Sequence, residues 1–185
     1  MNNTKIVVSC LSLIVVIISF AGCVNQTPNS ITYIPYTDNA NKITINYPNT
    51  WTYDEDTFNK SVIFYPKDDI TNYSSIRQVS FSISIVGYEE FQMMNLEKYT
   101  ESHIENYSAL TDFIIQEDNA TTLSNLSAHQ LIFTFKEQPY DFMQNDIWTY
   151  HNNTIYLLSY SADAFRYSDY TDIISHIINS YKILY

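Results

Sequence analysis

From Ile31 onward the chain alternates short apolar runs with breaks rich in Asp and Asn. Ile31 to Tyr36, Lys42 to Tyr47 and Ser61 to Tyr65 each read as short strands bounded by turn residues. Val79, Phe81, Ile83 and Ile85 then alternate with Ser80, Ser82 and Ser84, which predicts a strand with one buried face. Its serines face out or against a polar neighbour.

At Asn95 the period changes. Leu96, Tyr99, His103, Ile104 and Tyr107 recur at three- and four-residue spacing, with Glu97, Glu101 and Glu105 opposite them, so an amphipathic helix capped by Asn95 is expected. Strands return at Phe113 to Gln116, Ser127 to Lys136, Asp146 to His151 and Thr154 to Ser161. Asn152-Asn153 joins the last two as a type I′ hairpin turn, and Ile155 to Tyr160, apolar on both faces, reads as a central strand. A last helix is predicted with Ser168 as N-cap, Asp169 and Asp172 in the first turn, and an apolar stripe running from Tyr170 through Ile173, Ile174, Ile177 and Ile178 to Tyr181. Strands, helix, strands, helix implies an α+β domain: a central antiparallel sheet with helices packed on its faces.

Ahead of this domain the pattern is different. Met1 to Lys5 is polar with one positive charge, and Ile6 to Phe20 is an almost unbroken apolar run. A membrane span needs about 20 apolar residues, whereas a secretory core needs about 7 to 15. Residues 1–22 therefore read as a signal peptide. Ala21 and Gly22 are small enough to sit beside a scissile bond, and Cys23 follows them directly, with Phe20 where a lipobox usually has Leu. Cys23 is the expected lipidation site, and residues 23–30 form a polar tether to the domain at 31–185. The alternative is an uncleaved anchor with Cys23 a plain thiol. Either way the domain is held at the outer face of the cytoplasmic membrane.

Removing the signal discards Cys10, so no disulfide is available to the domain. Its stability must come from a hydrophobic core. The chain carries 20 acidic and 9 basic residues, a net charge of −11. Phosphate backbones repel such a surface, so nucleic acid is not an expected partner. With only two glycines in the whole chain, Asn is the expected turn residue. Sequons begin at Asn25, Asn59, Asn72, Asn106, Asn119, Asn125 and Asn152; they are either glycan acceptors, in a host with the machinery such as an archaeon, or products of an Asn- and Ser-rich composition.

Two stretches carry a resemblance. Tyr47-Pro48-Asn49-Thr50-Trp51 followed by a strand ending Val62-Ile63-Phe64-Tyr65-Pro66, and a closing strand around Tyr156 to Tyr160 that leads through Ala162, Phe165, Tyr167 and Tyr170 into a helix ending Asn179 to Ile183, resemble PsbP-like domains. The resemblance implies an α/β/α sandwich, as in the extrinsic PsbP subunit of photosystem II and a Ran-binding nuclear import factor. Those relatives are accessory binding proteins, not enzymes.

His103, His129, His151 and His176 lack metal-ligand spacing, and His103 and His176 read as partly buried rings at the borders of helical stripes. No nucleophile elbow or phosphate loop occurs, so no catalytic residue, no metal ligand and no cofactor is assigned. Asp54-Glu55-Asp56, Asp68-Asp69, Glu89-Glu90, Glu117-Asp118 and Asp141 with Asp146 read as solvated turn residues, with a weak Ca2+ or Mn2+ site as the alternative. Glu97, Glu101 and Glu105 read as a solvated helix face. Gln138 to Met143 is expected as a loop carrying aromatic residues, and Trp51 as a core seal. The leading expectation is a non-catalytic accessory lipoprotein that binds another envelope protein. A cation- or solute-binding lipoprotein is second, and an enzyme whose site assembles only in space is third.

Overall fold

The computed structural model describes residues 31–68, 78–87 and 95–184. The signal peptide, Ala21, Gly22, Cys23, the tether, Asn25, Asn72, Asp69 and Glu89-Glu90 lie outside the described residues. Ile31–Tyr185 form one compact unit.

The described residues of this unit form ten strands and two helices. The strands are β1 (Tyr33–Asp38), β2 (Ile43–Pro48), β3 (Trp51–Asp56), β4 (Ser61–Pro66), β5 (Val79–Gly87), β6 (Ile114–Leu123), β7 (Leu126–Glu137), β8 (Tyr140–His151), β9 (Thr154–Asp163) and β10 (Lys182–Ile183); the helices are α1 (Leu96–Tyr107) and α2 (Thr171–Ser180). The expected α+β arrangement of antiparallel sheet and packed helices is what the chain forms. It has two sheets rather than one: β1-β2-β10, and a seven-stranded sheet ordered β3-β4-β5-β9-β8-β7-β6. Every pairing among the described residues is antiparallel.

The alternation along β5 and β9 places a core on each face of the large sheet. On one face Phe64, Phe81, Ile83, Leu158 and Tyr160 meet Ile174 and Ile177 of α2 together with Ile43 and Ile45 of the small sheet. On the other, Leu131, Phe133, Trp148 and Ile155 meet Tyr99 of α1. Trp51 is 3% exposed and packs with the first core. The small sheet is tied to α2 by Asn46, whose backbone N–H donates to Ser180 Oγ at 2.8 Å.

Local chemistry sets several boundaries. Asn95 caps α1, its side-chain oxygen accepting from the Lys98 backbone N–H at 2.9 Å. Asn152 and Asn153 have φ of 48° and 58°, the left-handed pair that a type I′ turn requires, and Ser124-Asn125 repeat it between β6 and β7 at 52° and 64°.

Four expectations change. Asp54-Glu55-Asp56 is not a turn but the end of β3, whose backbone pairs with β4 whatever its side chains prefer. The strand expected at Phe113 to Gln116 runs on to Leu123, so Glu117 and Asp118 lie in β6. Gln138 to Met143 is not a loop but a tight turn and then β8; Phe142 is 3% exposed and stacks on Phe135 at 5.6 Å across the hairpin. Ser168 does not cap α2. Residues Tyr167–Tyr170 form a 3-10 turn, and α2 begins after it without a side-chain cap. Three residues per turn put Tyr167 and Tyr170 on the same side, and both pack against the core.

Candidate functional site

α2 leaves a cleft of about 530 Å³ between its flank and the strands β6 to β8. One cross-strand row forms its floor: Glu117 of β6 opposes Ile132 of β7, Ile132 opposes Asn145 of β8, and Asn145 opposes Tyr160 of β9. The place of Glu117 in that row depends on a β-bulge. Ile115 pairs with Phe133 on the α1 side, and without the irregularity between Ile115 and Glu117 the two-residue period would send Glu117 to that side too. The extra residue turns the carboxylate to the α2 side, which is what bulges at working surfaces do.

Among the polar groups of the cleft, Gln130 Nε2 donates to Asn145 Oδ1 at 2.9 Å. Tyr160 donates its hydroxyl to the Tyr167 backbone carbonyl at 2.7 Å. Burial, and then the nearby Glu117 carboxylate, push the Tyr167 phenol up to about 12. Ile132, Met143, Ile147, Ile174 and Ile178 supply apolar walls. Polar side chains, among them Glu117, Gln130, Asn145, Thr171 and Ser175, take up at least as much of the lining as these walls do. A second cavity of about 500 Å³ shares Thr122, Ile178 and Asn179 with the first, so the groove continues beside β6 as far as Asn125. A third, of about 320 Å³, lies apart between Asp38, Glu55, Asp56 and Lys60.

The opposite face holds a fully buried carboxyl. Asp146 is 0% exposed, not the solvated turn residue expected. Its Oδ2 accepts from the Tyr107 hydroxyl and its Oδ1 from Gln144 Nε2 at 2.9 Å, while His103 Nε2 stands 3.8 Å away. Burial and the Asp146 charge hold the Tyr107 phenol well above its usual range. Trp148, wholly buried beside them, donates Nε1–H to Thr100 Oγ1 at 2.9 Å. Both Asp146 oxygens are engaged by neighbours inside a packed layer, an arrangement that fixes α1 on the sheet rather than one that receives a substrate.

The remaining candidates are dispersed. His129 Nε2 lies 2.7 Å from Asp118 Oδ1 and its ring stacks on Trp148. His176 stacks on Tyr33 at 3.6 Å, and His151 ends β8. Among the described residues no group of three or more His, Cys, Asp or Glu side chains converges. Asn59, Asn106, Asn119, Asn125 and Asn152 are all exposed, with the Asn59 amide donating to Asp56 Oδ2 at 2.6 Å. Among the described residues no helix is long and apolar enough to cross a membrane. Sequence reading did not find the cleft, because its floor joins four strands and its wall is a helix more than thirty positions downstream of β7.

No protein-family model and no curated protein matches the sequence. Solved structures do resemble this one. LpqN of Mycobacterium tuberculosis, described as involved in cell envelope biogenesis, aligns at a TM-score of 0.59 and 14% identity over 85% of this chain and 93% of that one. The cyanobacterial PsbP protein of Synechocystis sp. PCC 6803 aligns at 0.55 and 10% over 88% and 98%. A point mutant of the protein Mog1 aligns at 0.57 and 7% over 83% and 97%. At these identities the likeness is one of fold: the chain has the α+β sandwich of PsbP and Mog1.

Proposed function

We propose that this chain is an exported, lipid-anchored accessory module that binds a partner protein of the cell envelope and performs no chemistry of its own. The observation that carries the reading is the groove beside β6, a built recognition surface with a bulge-directed carboxylate on its floor. Three further points support it. The apolar run ending in Ala21-Gly22-Cys23 has the form of a lipoprotein signal. The buried carboxylate Asp146 is engaged inside the fold, not presented in the groove. LpqN, of the same fold, is described as involved in envelope biogenesis. A two-chain lipid on Cys23 would anchor the module stably, since one chain alone is marginal.

The anchor is tested by intact mass of the membrane-extracted protein beside a Cys23→Ser variant. A wild-type chain starting at Cys23 with added lipid mass, absent from the variant, supports it; retention of unmodified residues 1–22 overturns it. Crosslinking in intact envelopes that repeatedly yields no partner overturns the binding reading. The second reading, a small-solute receptor, is favoured by the cleft volume of about 530 Å³. Calorimetry with cation and small-solute panels that shows no heat removes it.

A further inference from the structure

The large sheet ends in β3 on one side and β6 on the other, and the two edges are built differently. Exposed edges invite pairing with another chain, and proteins blunt them with charge, shortness or proline. β3 is six residues long and ends in Asp54-Glu55-Asp56. β1, an edge of the small sheet, carries Pro35. β6 is ten residues long and has no proline; Glu117, Asp118 and the bulge before them interrupt its first half, and beyond the bulge its backbone continues as a long edge to Leu123. Beyond its bulge it keeps unbroken register with β7 from Glu117 to Leu123. Among the described residues no strand pairs with its outer side.

We infer that the Glu117–Thr122 edge of β6 accepts an extended, basic segment of the partner protein as an eighth strand, with the segment's side chains on the α2 side entering the groove. This rests on the proposed partner-binding reading and deepens it. An added strand is held by main-chain hydrogen bonds, and alternate side chains give it specificity. Here the alternate positions are already provided for. Glu117 and Thr121 lie four residues apart on the same face of β6 and both line the groove, so residues opposite them reach it as well. Asp118, on the other face, lies 2.7 Å from His129 Nε2 and points away from the groove. Glu117 thus offers its charge to the newcomer, and its carboxylate selects Lys or Arg. A second copy of this chain is the poorer occupant, because it would bring two net charges of −11 together.

The test uses the full detergent-extracted protein and three capped peptides: alternating Val and Lys, alternating Val and Glu, and the Val–Lys sequence N-methylated at every second residue to remove the donors of one edge. The Val–Lys peptide is expected to bind, to slow amide exchange within residues 117–122, and to bind about tenfold more tightly than either control, since the controls lose the charge match or several hydrogen bonds. Glu117→Lys, at an exposed position, is expected to remove the preference for Lys over Glu while leaving the fold intact. Equal binding of the N-methylated peptide shows attraction to an acidic surface alone and overturns the inference, as does protection elsewhere or no binding. An envelope partner captured equally well by wild type and Glu117→Lys also overturns it while leaving the partner reading standing. Capture of nothing by wild type overturns the partner reading instead.

Discussion

At the residue scale, Asp146 and the tyrosines show how environment rather than identity decides a role. Asp146 is accommodated at 0% exposure because Tyr107 and Gln144 donate to it. Tyr107→Phe removes one of those donors, and a hydrogen bond to a charged group contributes about 1.5 to 3 kcal/mol. The variant is therefore expected to lose that much stability in urea unfolding, with a lower midpoint and an unchanged slope; an unaltered midpoint would show that Tyr107 merely fills space. The pH dependence follows from the same burial. Tyr107, Tyr160, Tyr167 and Tyr181 all have phenols raised above the usual 10.0, Tyr167 to about 12. A raised folded pKa leaves stability intact below the unfolded value and removes it as pH climbs through the folded one. Stability should hold below pH 10.0 and fall above it, with part of the phenolate absorbance appearing only on unfolding. Smooth titration of every tyrosine in the folded state contradicts this. None of it was visible in the sequence, where Asp146 stands beside polar neighbours and looks solvated.

At the element scale, legibility tracked one-sided burial. The α1 stripe, the β5 alternation and the Asn152-Asn153 turn could be read because each buries one face or needs a left-handed backbone. Asn153→Val places a branched residue at φ 58° and is expected to cost about 1 to 2 kcal/mol in urea unfolding, whereas Asn153→Gly is expected to be neutral or stabilising. Equal effects would remove the turn geometry as the reason for asparagine there. β3 was not read as a strand and β6 was legible only in its first residues, because both are edges: one neighbouring strand holds each by its backbone, and exposed side chains carry no period. The 3-10 turn at Tyr167–Tyr170 was hidden for another reason. Its rings answer to the sheet, as the Tyr160 hydroxyl bound to the Tyr167 carbonyl shows, not to helix capping rules.

At the scale of the whole molecule, the layers were legible and the cleft beside β6 was not. Two amphipathic helices and a mostly antiparallel strand pattern imply a sheet sandwiched by helices. Where those helices stop is a matter of tertiary geometry. α2 covers Phe81 and Tyr160 with Ile174 and Ile177 but stops short of β6, and the resulting groove draws its lining from β6, β7, β8, β9 and α2 at once. The net charge of −11, which argues against nucleic acid, is also the charge that the proposed basic partner segment would complement beside Glu117. The measurement that addresses the account most directly is site-specific photo-crosslinking in intact envelopes, with the probe at Thr121 on the lip of the groove or at Glu101 on the exposed side of α1. If a partner strand docks on β6, Thr121 gives a single recurrent protein adduct, through a Lys- or Arg-bearing segment, and Glu101 gives none. Adducts from Glu101 with none from Thr121 would place recognition on the other side of the sheet and contradict the account.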